Sequence, residues 1–159
     1  MRAHDSRDVG YAHAMKAVVV GCGRVGSEVA RQLADDGWDV TTVDENAEAL
    51  VRLGRDWNGA FVVGHAMELD VLLRAGIETA DAAVVATSGD NTNIVIGQVI
   101  QKRYGVHCVV VRVLDPRRAE FFEGLGVRTV CPTQTAISFL VDAVRASDPT
   151  PTPPAQGRA

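Results

Sequence analysis

Lys16-Ala17-Val18-Val19-Val20-Gly21-Cys22-Gly23-Arg24-Val25-Gly26 is an apolar run that opens into three glycines in the spacing G-x-G-x-x-G. Eighteen residues past Gly26 stands Asp44, which closes a second apolar run, Val40-Thr41-Thr42-Val43. Between the two, Val25, Val29 and Leu33 recur at four-residue steps, the spacing of one helix face. The order is therefore strand, glycine loop, helix, strand, carboxylate, and each part suits a nucleotide diphosphate. Gly21 allows a tight turn, Gly23 lets the backbone approach a pyrophosphate, and Gly26 lets the helix pack close to the strand. The unpaired N–H groups and positive dipole end of that helix attract the anion. A carboxylate at the end of the second strand can accept the hydroxyls of a ribose, and its distance is near the ~20 residues such a site uses. A glycine turn that only tightened strand–helix packing would give no reason for the acid.

The rest of the chain bounds what surrounds this unit. Its 159 residues suit one domain, since a chain of about 150 residues buries roughly two thirds of its extended surface. A 47% hydrophobic and 23% charged composition is that of an ordinary globular protein, and a formal net charge of −4 provides no basic footprint for nucleic acid. No apolar run approaches the ~18 residues of a membrane span, and the N-terminus lacks the apolar core of a signal peptide. A cytoplasmic protein without direct membrane insertion is expected. Cys22, Cys108 and Cys131 are too widely spaced for a disulfide framework or for paired zinc ligands. Cys108 and Cys131 read as core residues, and Cys22 as a thiol that could be reactive beside a helix N-terminus.

Apolar, Val- and Ala-rich runs alternate with helical patterns along the chain. Strands are expected at 16–21, 39–44, 60–64, 82–87, 107–113 and 128–131, and helices at 24–36, 46–54, 67–75, 91–104, 116–125 and 133–146. Continuous apolar strands of this kind belong to parallel sheets covered on both faces. Six βα units predict an α/β, doubly wound Rossmann fold with a six-stranded parallel sheet in the order 3-2-1-4-5-6. The domain is expected over 15–146. Residues 1–14 are polar and aperiodic and precede a second methionine, Met15, so they read as a disordered leader, a vector remnant or a misplaced start. Residues 147–159 carry Pro149, Pro151, Pro153 and Pro154 and read as a disordered tail.

In such a sheet ligands bind where the strand order reverses, between the first and fourth strands. That puts the polar segment Thr87-Ser88-Gly89-Asp90-Asn91-Thr92-Asn93 beside the glycine loop, where its side chains could touch a ligand or cap the next helix. Arg24 stands where a guanidinium can meet a phosphate, and a cation at a helix N-terminus otherwise opposes the dipole. Glu45 extends the acidic strand end begun by Asp44. Arg112 interrupts Val109-Val110-Val111-Arg112-Val113, so it either pairs with an acid across the sheet or faces the cleft. In the last helix Ala136, Ile137, Leu140, Val141 and Val144 form one face, which either packs on its own sheet or meets another subunit.

These residues together resemble the nucleotide-binding N domain of the RCK/KTN (TrkA-N) proteins, regulatory subunits of Trk/Ktr-type potassium uptake systems and gating domains of some potassium channels. The resemblance runs over about residues 15–146. It rests on Gly21-Cys22-Gly23-Arg24-Val25-Gly26, Val43-Asp44, Gly64-His65-Ala66, Leu72-Leu73-Arg74-Ala75-Gly76-Ile77, Ala80-Asp81, Val84-Val85-Ala86-Thr87, Asp90, Asn93, Val111-Arg112-Val113, Gly126-Val127 and Val130-Cys131-Pro132. It implies binding of NAD(H) or ATP/ADP, which shifts the geometry of a homodimer or larger ring beneath a membrane potassium transporter or channel subunit. On this likeness Gly21, Gly23 and Gly26 hold phosphates with Arg24, Asp44 takes the adenosine ribose, and Gly64, His65, Ala66 and Thr87 flank the adenine. The helix after Pro132 would cross between subunits. Two features depart from the family pattern. His65 replaces a usual Asp, which removes a carboxylate from the adenosine end and could add pH sensitivity. The smaller domain that commonly follows is replaced by the proline-rich tail, as in an N-domain-only subunit or a truncated piece.

The competing function is an NAD-dependent oxidoreductase, because the same fingerprint serves hydride transfer and a fold does not decide a function. Against it, Tyr11 and Lys16 are not spaced as a Tyr-x-x-x-Lys dyad, and His4, His13, His65 and His107 have no evident acid–base setting. A structural module with an empty site would leave Arg24 and Asp44 without a purpose.

Overall fold

A computed structural model describes residues 14–147. The expected leader and tail lie outside the described residues, except for Ala14 and Ser147 at their inner ends.

Six strands form one parallel sheet: β1 Lys16–Val20, β2 Asp39–Asp44, β3 Ala60–Val63, β4 Ala82–Val85, β5 Cys108–Arg112 and β6 Thr129–Val130. Their spatial order is β3-β2-β1-β4-β5-β6, as the sequence predicts. β1 is central, with Val18 aligned to Thr41 of β2 on one side and to Ala83 of β4 on the other. Its alternation divides the core. Val18 and Val20 join Val43, Leu72, Ile77, Val85, Ile96, Ile100 and Val111 on one face. Ala17 and Val19 join Ala30, Val40, Ala49 and Leu53 on the other. Every residue of β1 after Lys16 is at most 2% exposed, so both faces of the sheet are covered at its centre.

The helices are α1 Arg24–Asp35, α2 Leu69–Arg74, α3 Asp90–Tyr104, α4 Pro116–Gly124 and α5 Pro132–Ala146. Two expected helices differ. The segment read as a helix at 46–54 is a 3-10 helix, Ala47–Leu53, opened by an Asn46 side chain that accepts from the Glu48 N–H and closed by Gly54 at φ +89°. It buries only Ala49 and Leu53, too narrow an apolar face to hold an α-helix of useful length. The helix read at 67–75 is shorter, Leu69–Arg74, and beyond Gly76, whose backbone is left-handed (φ +77°), the chain adds a 3-10 turn, Ile77–Thr79, that the sequence reading did not include.

α5 departs most from a packed Rossmann layer, since none of its residues is buried. Ile137, Leu140, Val141 and Val144 make an apolar stripe open to solvent, and Phe139 is 73% exposed. Of the two sequence readings for this helix, packing on its own sheet is therefore not what the structure shows. On the α1 face, in register with the buried Val19, lie Val84 and Val110, both only half-buried.

Candidate functional site

A cleft of about 470 Å³ opens at the carboxyl ends of the strands, where the order reverses between β1 and β4. Its first wall is the β1–α1 loop. Gly21 turns there at φ +93°, and a Cβ on it would stand 2.8 Å from the Thr87 nitrogen. Gly26 brings α1 against the strand so closely that a Cβ would fall 1.7 Å from the Gly21 carbonyl oxygen. Gly23 is the opposite case. A Cβ there would meet nothing within 4 Å, and Gly23 caps α1 with no side-chain hydrogen bond. The first-turn N–H groups of a helix have no intrahelical acceptor, so this end presents donors and a positive dipole to the cleft. Arg24 and Val25, both exposed, line the same wall, and α1 has no acid in its first turn.

The second wall is the end of β2. Asp44 Oδ2 accepts from the Cys22 N–H at 2.7 Å, and Oδ1 accepts from the Asn46 N–H at 2.9 Å. The carboxylate thus braces the glycine loop while it lines the cleft with Glu45. A carboxylate has about four lone-pair sites, so two bonds leave capacity for ligand hydroxyls. Gly64, His65 and Ala66 follow at the end of β3, beside β2, and also line the cleft. His65 Nδ1 accepts from the Met67 N–H at 3.3 Å.

The third wall is the β4–α3 loop with the end of β5. Thr87, Ser88, Gly89 and Thr92 line it, backed by Ile96, and Arg112 faces it from β5. Among the described residues no acid pairs with Arg112. Its Nη2 donates to the Thr87 carbonyl at 2.5 Å, and its buried Nε has no partner. The structure thereby decides between the two sequence readings in favour of the cleft.

Four of the expected site residues do not line the cleft. Gly26 is a packing position. Cys22 contributes its backbone N–H to Asp44, and its fully buried thiol donates to the Ala49 carbonyl at 3.3 Å. Burial pushes that thiol up to about 11, the Asp44 charge adds to the rise and Arg52 opposes it. Proximity to a helix N-terminus therefore does not make Cys22 reactive. Asp90 accepts from the Leu114 and Asp115 N–H groups at 2.8 and 3.1 Å, so it caps the turn after β5 rather than its own helix. Asn93 is completely buried. Its Oδ1 accepts from the Thr87 N–H at 3.0 Å and from the Thr87 hydroxyl, and its Nδ2 donates to the carbonyls of Thr87 at 3.0 Å and Arg112 at 2.9 Å. It holds the third wall together from behind.

Cys108 and Cys131 are half-buried rather than core residues, and Cys131 caps α5 by accepting from the Gln134 N–H. The polar segment after β4 was expected to reach a ligand and supplies Thr92, but sequence reasoning missed Ile96, one helical turn further along the same face of α3. Of the histidines, His107 precedes β5 at the opposite edge of the sheet, away from the cleft, while His4 and His13 lie outside the described residues.

Fold and cleft define the class: a doubly wound Rossmann domain whose ligand cleft lies at the switch point of the sheet, walled by a glycine loop and a strand-end carboxylate. Within that class the chain belongs to the TrkA-N domain family, whose model matches residues 17–133. It is 42% identical over 116 residues to a Trk system potassium uptake protein TrkA of Streptomyces coelicolor, covering 73% of this chain and 52% of that protein. With the Trk system potassium uptake protein TrkA of Mycobacterium tuberculosis it shares 33% identity over 132 residues, 80% of this chain and 58% of the relative. The chain thus spans little more than half the length of these relatives. Among solved structures, the Kef CTD of Shewanella denitrificans in AMP-bound form superposes with a TM-score of 0.70 at 25% identity, covering 82% of this chain and 80% of that one. The TrkA-N domain of the Escherichia coli inner membrane protein ybaL gives 0.73 at 16% identity, over 84% of this chain and 98% of that domain, which speaks for the fold.

Proposed function

We propose that this chain is a cytoplasmic nucleotide-sensing domain that regulates a membrane potassium transporter or channel. The carrying observation is the meeting at one cleft of an open glycine-capped helix end, Arg24, and an Asp44 carboxylate locked in place by two backbone N–H groups. The α1 N-terminus and Arg24 suit phosphates, Asp44 suits an unphosphorylated ribose, and the β3 end suits the base. NAD(H) and ATP/ADP share those groups, and both fit this reading. The AMP bound by the Kef relative and the potassium uptake role in the names of the TrkA relatives support it.

A sensor must pass on its occupancy. α5 offers an apolar stripe that its own domain leaves uncovered, and the half-buried Val84 and Val110 lie on a sheet face that α5 does not close. Pairing of two copies through α5 would cover such apolar surface, and a dimer or ring of dimers is the reading it supports. No helix among the described residues is long and apolar enough to cross a membrane, so the transported ion's path belongs to the partner on this reading.

Calorimetric titration with NADH, NAD, ATP and ADP tests the site. Saturable binding without turnover of the nucleotide is expected, weakened at least about tenfold in Asp44→Ala, the size of losing one charged hydrogen-bonding partner. NADPH should bind more weakly than NADH, because the Asp44 charge repels a 2′-phosphate. Failure of all four nucleotides to bind would remove the basis of the assignment, and nicotinamide reduction on addition of a small-molecule substrate would favour the oxidoreductase reading.

A further inference from the structure

Three helices begin at one dipeptide. The Leu114-Asp115 turn after β5 gives both of its N–H groups to the carboxylate of Asp90, the first residue of α3, at 2.8 and 3.1 Å. Asp115 in turn caps α4, its carboxylate accepting from the Arg117 N–H at 2.9 Å, and Arg118 of α4 donates back to the Asn91 side chain of α3. The Leu114 carbonyl accepts from the Cys131 thiol at 3.5 Å, and the same sulfur accepts from the Gln134 N–H at 3.4 Å as the N-cap of α5. Leu114 therefore holds the start of α3 through its N–H and the start of α5 through its carbonyl.

The two sides of this joint are held differently. Asp90 follows directly on Ser88 and Gly89, which line the cleft, and Thr92 lines it from the first turn of α3. Strand pairing carries order as far as Val130, whose carbonyl accepts from the Val113 N–H at 3.0 Å. Beyond that the chain is lightly anchored. α5 has no buried residue, and among the described residues no hydrogen bond or ion pair joins it to the domain past its cap. Its direction is thus set at Cys131 and at Pro132, whose fixed φ opens the helix. A thiol is a weak donor and a weak acceptor, so this pivot opens more readily than the packed sheet behind it. We infer that Leu114 and Cys131 form a latch through which the cleft governs the start of α5. A ligand resting on Ser88, Gly89 and Thr92 steadies the first turn of α3, Asp90 steadies Leu114, and Leu114 holds the cap closed. This rests on the nucleotide-site reading above and names how occupancy of that site reaches the exposed helix.

Residue-resolved amide hydrogen exchange on the full chain tests the latch, with the chain free and saturated by the tighter binding of ADP and NADH. The reporters are Gln134 and Thr135, whose N–H groups bond to the Cys131 sulfur and carbonyl. In wild type the nucleotide should slow both at least about fivefold, the lower range of coupling between two sites. Asp90→Ala cuts the latch at α3 and Cys131→Ala cuts it at α5, and each should abolish the slowing at Thr135 at nucleotide concentrations that saturate the variant by calorimetry. Cys131→Ser keeps a donor and an acceptor on one atom and should keep the slowing. A Cys131 that only capped its helix would raise the basal exchange rate in Cys131→Ala and leave the nucleotide effect in place. Where Asp90→Ala lowers the melting temperature, the two Cys131 variants decide alone. Absence of slowing in wild type, slowing that survives either alanine variant, or its loss in Cys131→Ser would overturn the latch while leaving the nucleotide site standing. Absence of binding by both nucleotides would overturn both.

Discussion

Asn93 shows how a residue can be essential to a site it does not line. Fully buried in α3, it uses four hydrogen bonds to tie the Thr87 backbone and hydroxyl to the last carbonyl of β5. Asn93→Ala would leave several buried polar groups unsatisfied, and a loss of about 2–4 kcal/mol is expected, measured by urea denaturation. Asn93→Asp would turn a buried carboxylate oxygen onto the two carbonyls that the amide now meets as a donor, so it should cost at least as much. Cys22 supplies a second residue-scale prediction. Because its thiol is raised from 9.0 to about 11, the folded protein keeps a proton that the unfolded chain releases between those values. The stability this group contributes is present below pH 9 and is lost as pH rises toward 11. Cys22→Ala should flatten that part of the stability–pH curve. At pH 8 an alkylating reagent should modify the half-buried Cys108 and Cys131 before Cys22. Asp44 and Arg24 were legible as residues of the cleft because a strand-end acid and a helix-start cation stand at the expected places around the glycine pattern. The inward roles of Asp90 and Asn93 were not, since a helix-start polar residue looks the same in sequence whether its side chain turns to a ligand or to the next strand.

At the level of elements, the close contact of α1 with β1 is set by Gly26. A Cβ 1.7 Å from a backbone oxygen cannot be relieved by a side-chain rotation, so Gly26→Ala must push α1 outward. Destabilisation of about 2 kcal/mol or more and loss of nucleotide binding are expected together, read by thermal melting and titration. Gly23→Ala meets no protein atom within 4 Å, and it should spare the melting curve while weakening binding if phosphate approaches there. The contrast separates the packing glycine from the cleft glycine. α5 permits a cleaner test. Leu140 is 67% exposed, and Leu140→Asp should shift a dimer toward monomer in sedimentation, with at least about a tenfold weaker association for a central apolar contact. The strand order and the parallel sheet were readable from the alternation of Val-rich runs with helical periods. The 3-10 character of Ala47–Leu53 was not, because in a segment of seven residues the apolar spacing of an α-helix and a 3-10 helix cannot be told apart.

For the whole molecule, a ligand that binds only the folded chain stabilises it by mass action, about 2.7 kcal/mol at a hundred times its Kd. Saturating nucleotide should therefore raise the melting temperature by several degrees, and Asp44→Ala, binding at least about tenfold more weakly, should lose about half of that rise or more at the same concentration. The two core clusters meet only through the sheet, with α1 on one side and α2, α3 and α4 on the other. A cleft at the carboxyl edge touches the ends of β1, β2, β3, β4 and β5 at once, so occupancy of one site bears on five strands.

α5 carries a consequence for how variants of this protein would be scored. A helix with no buried residue draws little stability from its own domain, so changes along its apolar stripe should leave the melting of the dilute monomer nearly unchanged. Their effect would surface only where a second molecule is present, and dilution alone could imitate it. Screens that rank positions by folded yield would mark this stretch as dispensable, while a selection that depends on assembly would mark it as among the least tolerant.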